Sequence, residues 1–283
     1  MIGIRPGARI GGMKTNKPRK PVPTTRTGRA TAALGAVAAS VALLTAAAQA
    51  PAFAQGTADP ADPATDVFSR VDYRDCPAEL PAGVDRKEWR CEVTVGYSHF
   101  ALGGIAVPDM KPITLTHAEG PMPDGKPGQV FGTLRAEPTP VPGGLLGRKA
   151  EQGGPNPLLG LAIQPEYGGY ADFLGTGTDK GALDLKFRLV SPLLGERCAI
   201  GTDTRPVALH LRKDGPSTWL SKNPPLVRFS AYDRDLTVPA ATGCGPLTPW
   251  VNHHFGLPAK AAESSVTYTA YYTFKTYDEL PAA

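Results

Sequence analysis

The sequence predicts an all-β protein: an antiparallel β-sandwich, with a barrel as the alternative, that has long Gly- and Pro-rich loops and two disulfides. Short runs in which apolar and polar residues alternate recur along the chain, and such period-two alternation is typical of strands. The 283 residues include 32 Gly and 30 Pro, which interrupt nearly every stretch before three helical turns could form. Many short strands separated by turn signals favour a sandwich or a barrel.

The first 54 residues have the pattern of a secretory signal peptide. They contain eight basic residues and no acidic one, and an uncharged, alanine-rich run from Ala30 to Ala50 follows the basic part. Residues 52–54 (Ala-Phe-Ala) form a small-x-small cleavage pattern. We therefore expect export by the general secretion route, cleavage near Ala54 and a secreted, extracellular mature protein. A retained membrane anchor is the alternative, and either Met1 or Met13 is the start.

The positive charge of the chain does not indicate a nucleic-acid partner. The formal net charge is +4, but the leader alone contributes eight positive charges. The 22 basic and 26 acidic residues that remain make the mature region slightly acidic, whereas nucleic-acid-binding proteins present basic patches. With 41% hydrophobic and 20% charged residues, the chain has the composition of a folded protein. We expect no transmembrane segment in the mature chain.

The mature region is expected to be a single β-rich domain, residues 71–283, preceded by a linker. Residues 55–70 are rich in Ala, Pro and Asp, and such a stretch buries little apolar surface. An extended, flexible linker is therefore expected there. A division of the domain within residues 148–157, where charged residues precede Gly and Pro, is the alternative.

Strand-like runs follow one another from residue 89 to residue 277. They cover residues 89–95, 100–107, 112–117, 129–135, 158–163, 183–190, 207–211, 227–232 and 265–277. In the last run, every second residue from Val266 to Phe274 falls on one apolar and aromatic face, while Thr residues dominate the other face. This run predicts a long strand.

Four cysteines, Cys76, Cys91, Cys198 and Cys244, lie in the exported region. An even number of cysteines in an exported chain indicates disulfides. Three pairings are possible, and the entropy of ring closure favours sequence neighbours, Cys76 with Cys91 and Cys198 with Cys244. A metal site is the weaker interpretation, because no C-x-x-C pair occurs. With both bridges formed, no thiol remains for catalysis.

No catalytic motif stands out in the sequence. The chain lacks G-x-S-x-G, the turn that presents the nucleophile of α/β-hydrolases. Residues 96–100 and 215–219 imitate it but lack the second Gly. A glycosidase needs two carboxylates that face each other, and no such pair can be identified in the sequence. We predict no catalytic residue and no cofactor.

The histidines and the acidic turns give no metal motif, so no metal site is predicted. Neither H-E-x-x-H nor H-x-H occurs among the five histidines, which are His99, His117, His210, His253 and His254. The last two are adjacent, and adjacent residues on a strand point to opposite faces. Asp203, Asp233 and Asp235 lack the spacing of a calcium loop, and we expect them in solvated turns. A zinc site gathered from distant segments remains an alternative.

Two aromatic loops are the candidates for ligand binding. Tyr167 and Tyr170 flank a pair of glycines, and Trp219 follows a Gly-Pro turn. Exposed rings on loops at one end of a sandwich hold sugars or peptides in many binding modules. The alternative is that these rings fold back and cover the core.

Three loops repeat a combination of Pro, a leucine pair and Gly. They are residues 141–147, 156–160 and 191–195. We expect the leucine pairs to close the ends of the core. The alternative is an exposed apolar patch that contacts a partner, a lipid or a second copy of the chain.

Several short segments together resemble a known group of proteins. They are Asp75-Cys76-Pro77, Trp89-Arg90-Cys91, the PGGLLG and NPLLGL runs, and residues 166–170, 215–219 and 243–246. The combination resembles uncharacterised secreted actinobacterial (Streptomyces-type) proteins with no assigned activity, across most of residues 71–283. The resemblance implies export and disulfides, and it transfers no catalytic residue.

These features favour a secreted, non-enzymatic binding or structural protein of the cell envelope or the extracellular space. Its partner would be an envelope glycan, a lipid or a protein. One alternative is an extracellular hydrolase whose active site is assembled from dispersed residues. Another is an inhibitor of secreted proteases that acts through a disulfide-braced loop such as residues 198–244.

Overall fold

Antiparallel strands dominate the structure, a computed structural model that describes residues 63–147 and 156–281. The first strands are β1 (Arg90–Leu102), β2 (Ile105–Val107), β3 (Ile113–Pro121), β4 (Pro127–Arg135), β5 (Thr139–Pro140), β6 (Ala162–Asp172) and β7 (Asp179–Val190). The others are β8 (Ala199–Ile200), β9 (Val207–Lys213), β10 (Thr218–Lys222), β11 (Pro225–Asp233), β12 (Ala241–Thr242) and β13 (Ser265–Thr276). The two α-helices of the described part are α1 (Pro63–Ser69) and α2 (Thr248–His254).

The thirteen strands belong to a single sheet, and the predicted antiparallel all-β fold is confirmed. One continuous path through the sheet is β6-β7-β9-β11-β13-β1-β3-β4, and each strand is antiparallel to the next. The sheet curls until β4 and β6, the strands at the two ends of this path, come together. Its facing halves then enclose the main core.

Two glutamine side chains join the edges of the curled sheet. Gln129 on β4 donates through Nε2 to the Ala171 carbonyl at 2.7 Å, and the Phe173 amide donates to its Oε1 at 2.9 Å. From the opposite edge, Gln164 on β6 donates to the Ala136 carbonyl at 2.7 Å. We call this contact between β4 and β6 the seam. It satisfies edge groups that backbone pairing leaves open.

Strand β1 is covered on both of its faces. Cys91, Val93 and Val95 point to one face and are fully buried. The other face, which includes Glu92 and Thr94, points to the inside of the curled sheet. The two faces follow from the period-two geometry of a strand.

Helix α1 lies within residues 55–70, for which the sequence predicts an extended linker. Val67 is fully buried and packs with Val95 of β1 and Leu226 of β11. The Tyr97 hydroxyl donates to the Asp66 carboxylate. The described part of the predicted linker is therefore folded onto the sheet, because it carries apolar side chains that find a partner. Residues 55–62 and the predicted leader, residues 1–54, lie outside the described residues.

Strands on both sides of the predicted alternative boundary at residues 148–157 pair with each other. Thr139 of β5 lies opposite Ile163 of β6. Residues 148–155 themselves lie outside the described part. All described residues belong to one compact unit. Neither described helix has the length and apolar character that a membrane span requires.

Both predicted disulfides are present. Cys76 is bridged to Cys91 across a separation of 15 residues, and Cys198 to Cys244 across 46 residues. In the chain-entropy model, loops of these lengths correspond to about 3 and about 4 kcal/mol of stabilisation. The first bridge fixes the segment before β1 against that strand, and all four cysteines are used.

Candidate functional site

The curled sheet encloses a cavity of about 230 Å³. Seven strands and the residue that follows β6 contribute to its wall. The lining residues are Arg90, Glu92, Thr94, Ser98, Phe100, Ile113, Leu115, His117, Glu119, Leu134, Phe173, Lys180, Leu183, Leu185, Leu209, Leu211, Phe229, Val266, Tyr268 and Tyr272. More than half of them are aliphatic residues or Phe, and five carry titratable charged or imidazole groups. The cavity is therefore amphipathic.

The lining changes from charged to apolar along β1. Arg90 and Glu92 come first, and Ser98 and Phe100 come last. The Arg90 side chain is 36% exposed, whereas Phe100 is only 4% exposed. The charged end is therefore the mouth of the cavity, and the apolar end lies in the core.

Gly96 makes room for the ring of Tyr268 in the cavity wall. A Cβ atom at position 96 would overlap this ring. Ala270 lies opposite Gly96 on β13 and is fully buried. Burial raises the pKa of the Tyr268 hydroxyl further above its ordinary range. It thus offers a neutral hydroxyl in the wall.

Three side chains with metal-binding or acid–base chemistry meet at the mouth. Glu92 on β1 lies opposite His117 on β3, and Arg90 lies opposite Glu119. His117 and Glu119 are two residues apart on one strand and so share a face. Ligand atoms of Glu92, His117 and Glu119 lie within 4.8 Å of one another. We call these three residues the mouth cluster.

Within the mouth cluster, Glu119 is held in its ionised form. Arg90 donates through Nε to Glu119 Oε1 at 2.8 Å, and His117 Nε2 lies 3.5 Å from Glu119 Oε2. Burial by itself would raise the pKa of Glu119. The hydrogen bond from His117 and the positive charge of Arg90 outweigh burial and lower the pKa to about 2.

The ionised form of Glu92 is stabilised less than that of Glu119, although the Glu92 side chain is only 12% exposed. Its Oε2 lies 3.7 Å from Arg90 Nη2, and Thr94 Oγ1 donates to its Oε1 at 3.4 Å. Burial is the largest influence and raises the pKa of Glu92. The charge of His117 opposes this effect and the charge of Glu119 adds to it. The two carboxyl groups are therefore shifted in opposite directions.

Two buried polar atoms of the lining lack a hydrogen-bond partner among the described residues. They are Ser98 Oγ and His117 Nδ1, and each residue is 3% exposed. Most buried polar side-chain atoms in proteins are paired, and leaving one unpaired costs about 1–3 kcal/mol. Both residues border the cavity, so a molecule bound there can provide the partners.

The structure does not bring together the three aromatic residues that the sequence suggests for binding. Tyr167 stacks on Phe131 with ring centroids 3.8 Å apart and thus lies in the seam. Tyr170 is 52% exposed and Trp219 is 55% exposed. Trp219 meets the edge of Phe274 at 6.4 Å, but the aromatic contacts between described residues join none of the three candidates to another.

The leucine pairs are divided between the core and the surface. Leu145 and Leu194 are 2% and 9% exposed, whereas their neighbours Leu146 and Leu193 are 45% and 47% exposed. Leu158 of the remaining pair is 61% exposed. In two loops, therefore, one leucine of the pair closes the core as expected and the other faces solvent.

The other metal candidates have structural surroundings. His253 and His254 end helix α2 instead of lying on a strand as expected, and the His254 ring stacks on that of Trp250 with centroids 4.7 Å apart. Asp233 is buried, not solvated, because it accepts two backbone amides at 2.8 and 2.9 Å. Asp203 is exposed, as expected, and pairs with a lysine at 2.6 Å.

The mouth cluster is not visible in the sequence, because its residues come from two strands. His117 and Glu119 form an H-x-E pattern on β3, and Glu92 is a polar residue in the strand-like run 89–95. The only sign of the cluster in the sequence is that these polar residues stand at alternating positions in runs predicted to be strands. Only the pairing of β1 with β3 shows that these positions face each other.

Comparison with protein-family models, with curated proteins and with solved structures finds no match to this chain. The resemblance to secreted actinobacterial proteins therefore stays a prediction.

Proposed function

We propose that this protein is a secreted, non-enzymatic binding protein that holds a small amphipathic molecule inside its curled sheet. The observation that carries the proposal is the cavity, with apolar residues inside and charged residues at the mouth. Ligand sites are commonly concave and apolar, with a few polar groups that orient the ligand. The apolar body would pack against residues such as Leu185, Leu209 and Val266, and the polar head would reach Glu92 at the mouth.

The size of the cavity limits the choice of ligand. An apolar cavity of about 150 Å³ holds benzene, so 230 Å³ suits a small ring or a short chain. A folded protein cannot enter such a space, and apolar walls do not suit a glycan. Among the envelope partners expected from the sequence, a small lipid-like or aromatic molecule fits best.

Two features support a location outside the cytoplasm. The basic and then apolar leader has the pattern of a signal peptide. The two disulfides are typical of exported proteins, since cytosolic thiols are kept reduced. A carrier or sensor of a small molecule at the cell envelope is consistent with both features.

The test is to fill the cavity and measure binding of a fluorescent apolar probe. In Leu209→Trp, the larger side chain occupies cavity space, and we expect probe affinity to fall at least about tenfold. Leu220→Trp is the matched control, because Leu220 is 47% exposed and does not line the cavity. Mass spectrometry of molecules extracted from purified native protein would identify the ligand.

Circular dichroism and thermal melting establish whether each variant is folded. If Leu209→Trp fails to fold, Leu183→Phe replaces it as a smaller increase in volume at another lining position. A folded cavity-filling variant that binds the probe as tightly as the wild type contradicts the proposal.

An extracellular hydrolase is the second candidate, and the opposite pKa shifts of Glu92 and Glu119 favour it. Such a pair can divide the roles of acid and base. Against this function, Glu119 is ion-paired with Arg90, and a pKa of about 2 makes it a weak base. Hydrolase profiling of the wild type and of Glu92→Gln distinguishes the two functions. Turnover by the wild type that is lost in the variant would contradict the binding proposal and favour a hydrolase.

A further inference from the structure

We propose that Glu92, His117 and Glu119 form a binding site for a divalent transition metal, and that Zn²⁺ is the ion that fits best. The site lies at the mouth of the cavity, but the proposal does not depend on the molecule that the cavity binds. Zinc sites with an open position commonly use three protein ligands drawn from His, Glu and Asp. An imidazole beside two carboxylates disfavours Ca²⁺ and Mg²⁺, which prefer oxygen ligands.

The backbone places the three ligands without help from loops. Glu92 and His117 are a cross-strand pair, and Glu119 follows on the same face of β3. In a tetrahedral zinc site, ligand atoms are roughly 3.3 Å apart, given metal–ligand distances of about 2.0–2.2 Å. His117 Nε2 and Glu119 Oε2 are already 3.5 Å apart. Since all three ligand atoms lie within 4.8 Å, side-chain rotations are sufficient to complete the set.

The surroundings of His117 leave one ring nitrogen for the metal ion and the other for a proton. The residue is 3% exposed, it borders the cavity, and its Nδ1 lacks a hydrogen-bond partner within the described residues. A buried imidazole that lacks a partner on one nitrogen is costly unless something pairs with it. Neutral imidazole is the form that binds metal ions. With a cation on Nε2, the nitrogen that faces Glu119, the proton stays on Nδ1 and can be donated to water or to a molecule in the cavity.

The two carboxylates are supported by neighbours from outside the cluster. Arg90 holds Glu119 by its Oε1, which leaves Oε2 facing His117. Thr94 donates to Glu92 Oε1. Such outer partners orient metal ligands, and their loss typically lowers metal affinity about 10- to 100-fold. Because the single guanidinium of Arg90 faces two carboxylates, a dication adds compensating charge.

The test is metal titration of tag-free protein by calorimetry, with Zn²⁺ and Ca²⁺ in parallel. We expect one Zn²⁺ per chain and no comparable binding of Ca²⁺. Removing a ligand in Glu92→Gln should weaken Zn²⁺ binding at least about tenfold. The matched control Glu137→Gln, at a residue with a 74% exposed side chain that pairs with Lys111, should bind as the wild type does.

A second control excludes adventitious binding to the exposed imidazoles of helix α2. The double variant His253→Gln/His254→Gln should keep the affinity of the wild type. Zn²⁺ should also raise the melting temperature of the wild type and not that of Glu92→Gln, since a ligand that binds only the folded state stabilises it. If Glu92→Gln does not fold, Glu119→Gln replaces it.

The proposal is overturned if the wild type binds no Zn²⁺ at millimolar concentration, or if a folded cluster variant keeps full affinity. Loss of binding in the helix α2 double variant also overturns it, because the ion would then be bound at the surface. Probe binding to Leu209→Trp tests the cavity separately, so failure of the metal site and failure of the binding proposal can be told apart.

Discussion

At the scale of single residues, Glu92 and Glu119 are chemically alike and differ in their partners. Both line the mouth, and both are poorly exposed, at 12% and 20% of their side chains. Only Glu119 has close hydrogen bonds from a cation, namely Arg90. The hydrogen bond from His117 and the charge of Arg90 outweigh burial and lower the pKa of Glu119 to about 2, while burial raises the pKa of Glu92. The stability of the protein should depend on these two groups with opposite signs.

Glu119→Gln should lower the free energy of unfolding at pH 7 by about 2 kcal/mol, because it removes the ionised partner of Arg90 at the mouth. A lowered pKa means that the ionised carboxylate stabilises the folded state above its ordinary pKa of 4.5. This contribution is lost as the pH falls from 4.5 towards 2. The difference between wild type and variant in urea unfolding should therefore shrink over that range.

Glu92→Gln should have the opposite effect in metal-free protein and raise the free energy of unfolding at pH 7 by about 1 kcal/mol. A raised pKa means that the protonated form is favoured in the folded state. The wild type thus loses stability as the pH rises through the raised value, and the two proteins should converge in acid. Each glutamate variant is the control for the other, and equal signs at pH 7 would contradict the assignment.

The sequence predicted these residue-scale features incompletely. It drew attention to Tyr167, Tyr170 and Trp219 because aromatic rings beside Gly or Pro are visible in a linear pattern. The structure places these rings in the seam or at the surface. Glutamates are common in any sequence. Glu92 and Glu119 are distinguished from the others only by their burial and by the pairing of their strands.

At the scale of elements, the alternation of apolar and polar residues predicted the strands well, but it did not predict which face of a strand lines the cavity. The run 89–95 was recognised by Cys91, Val93 and Val95, and the structure places it in β1 from Arg90 onward. The apolar face, however, is covered by α1, by β11 and by the Cys76 bridge. The polar face lines the cavity. A period of two residues specifies two faces, but it does not specify which of them meets the ligand.

Helix α1 gives a test at this scale, because Val67 is the side chain that anchors it. Val67 is fully buried against Val95 and Leu226, and Val67→Ala should reduce the free energy of unfolding by about 1–2 kcal/mol. Thr65→Ala, at an exposed position of the same helix, should change it by less than about 0.5 kcal/mol. Chemical denaturation measures both variants. If the two variants were equally stable, α1 would not pack on the sheet, and the fold would begin only at residue 71 as the sequence predicted.

At the scale of the whole molecule, the fold class and the disulfides were predictable, whereas the strand order was not. Composition and alternation indicate many antiparallel strands, and ring-closure entropy favours the two observed bridges. The pairing of β1 with β13 joins Arg90 to Thr276, and no local pattern encodes such a distant contact. The cavity depends on this order, since it places the polar face of β1 beside β3 inside a closed curl. The site was therefore less predictable than the fold.

The closure itself rests on the seam, and removing it should open the cavity while leaving the disulfides intact. Gln129→Leu leaves the Ala171 carbonyl and the Phe173 amide without their side-chain partner, and we expect a loss of about 1–3 kcal/mol in the free energy of unfolding. Combining it with Gln164→Leu removes both glutamine bridges. Hydrogen exchange of β4 and β6 should then accelerate more than that of the central strands β1 and β13, since opening is local.

Binding of the apolar probe should weaken in the double variant in parallel with this exchange, because an open seam admits water to the cavity wall. Glu196→Leu, at an exposed residue between β7 and β8, is the control and should change neither measurement. If the double variant keeps the protection of β4 and β6, backbone pairing elsewhere holds the sheet closed. If protection is lost but probe affinity is kept, probe binding does not require the closed cavity. The binding site would then lie elsewhere on the protein.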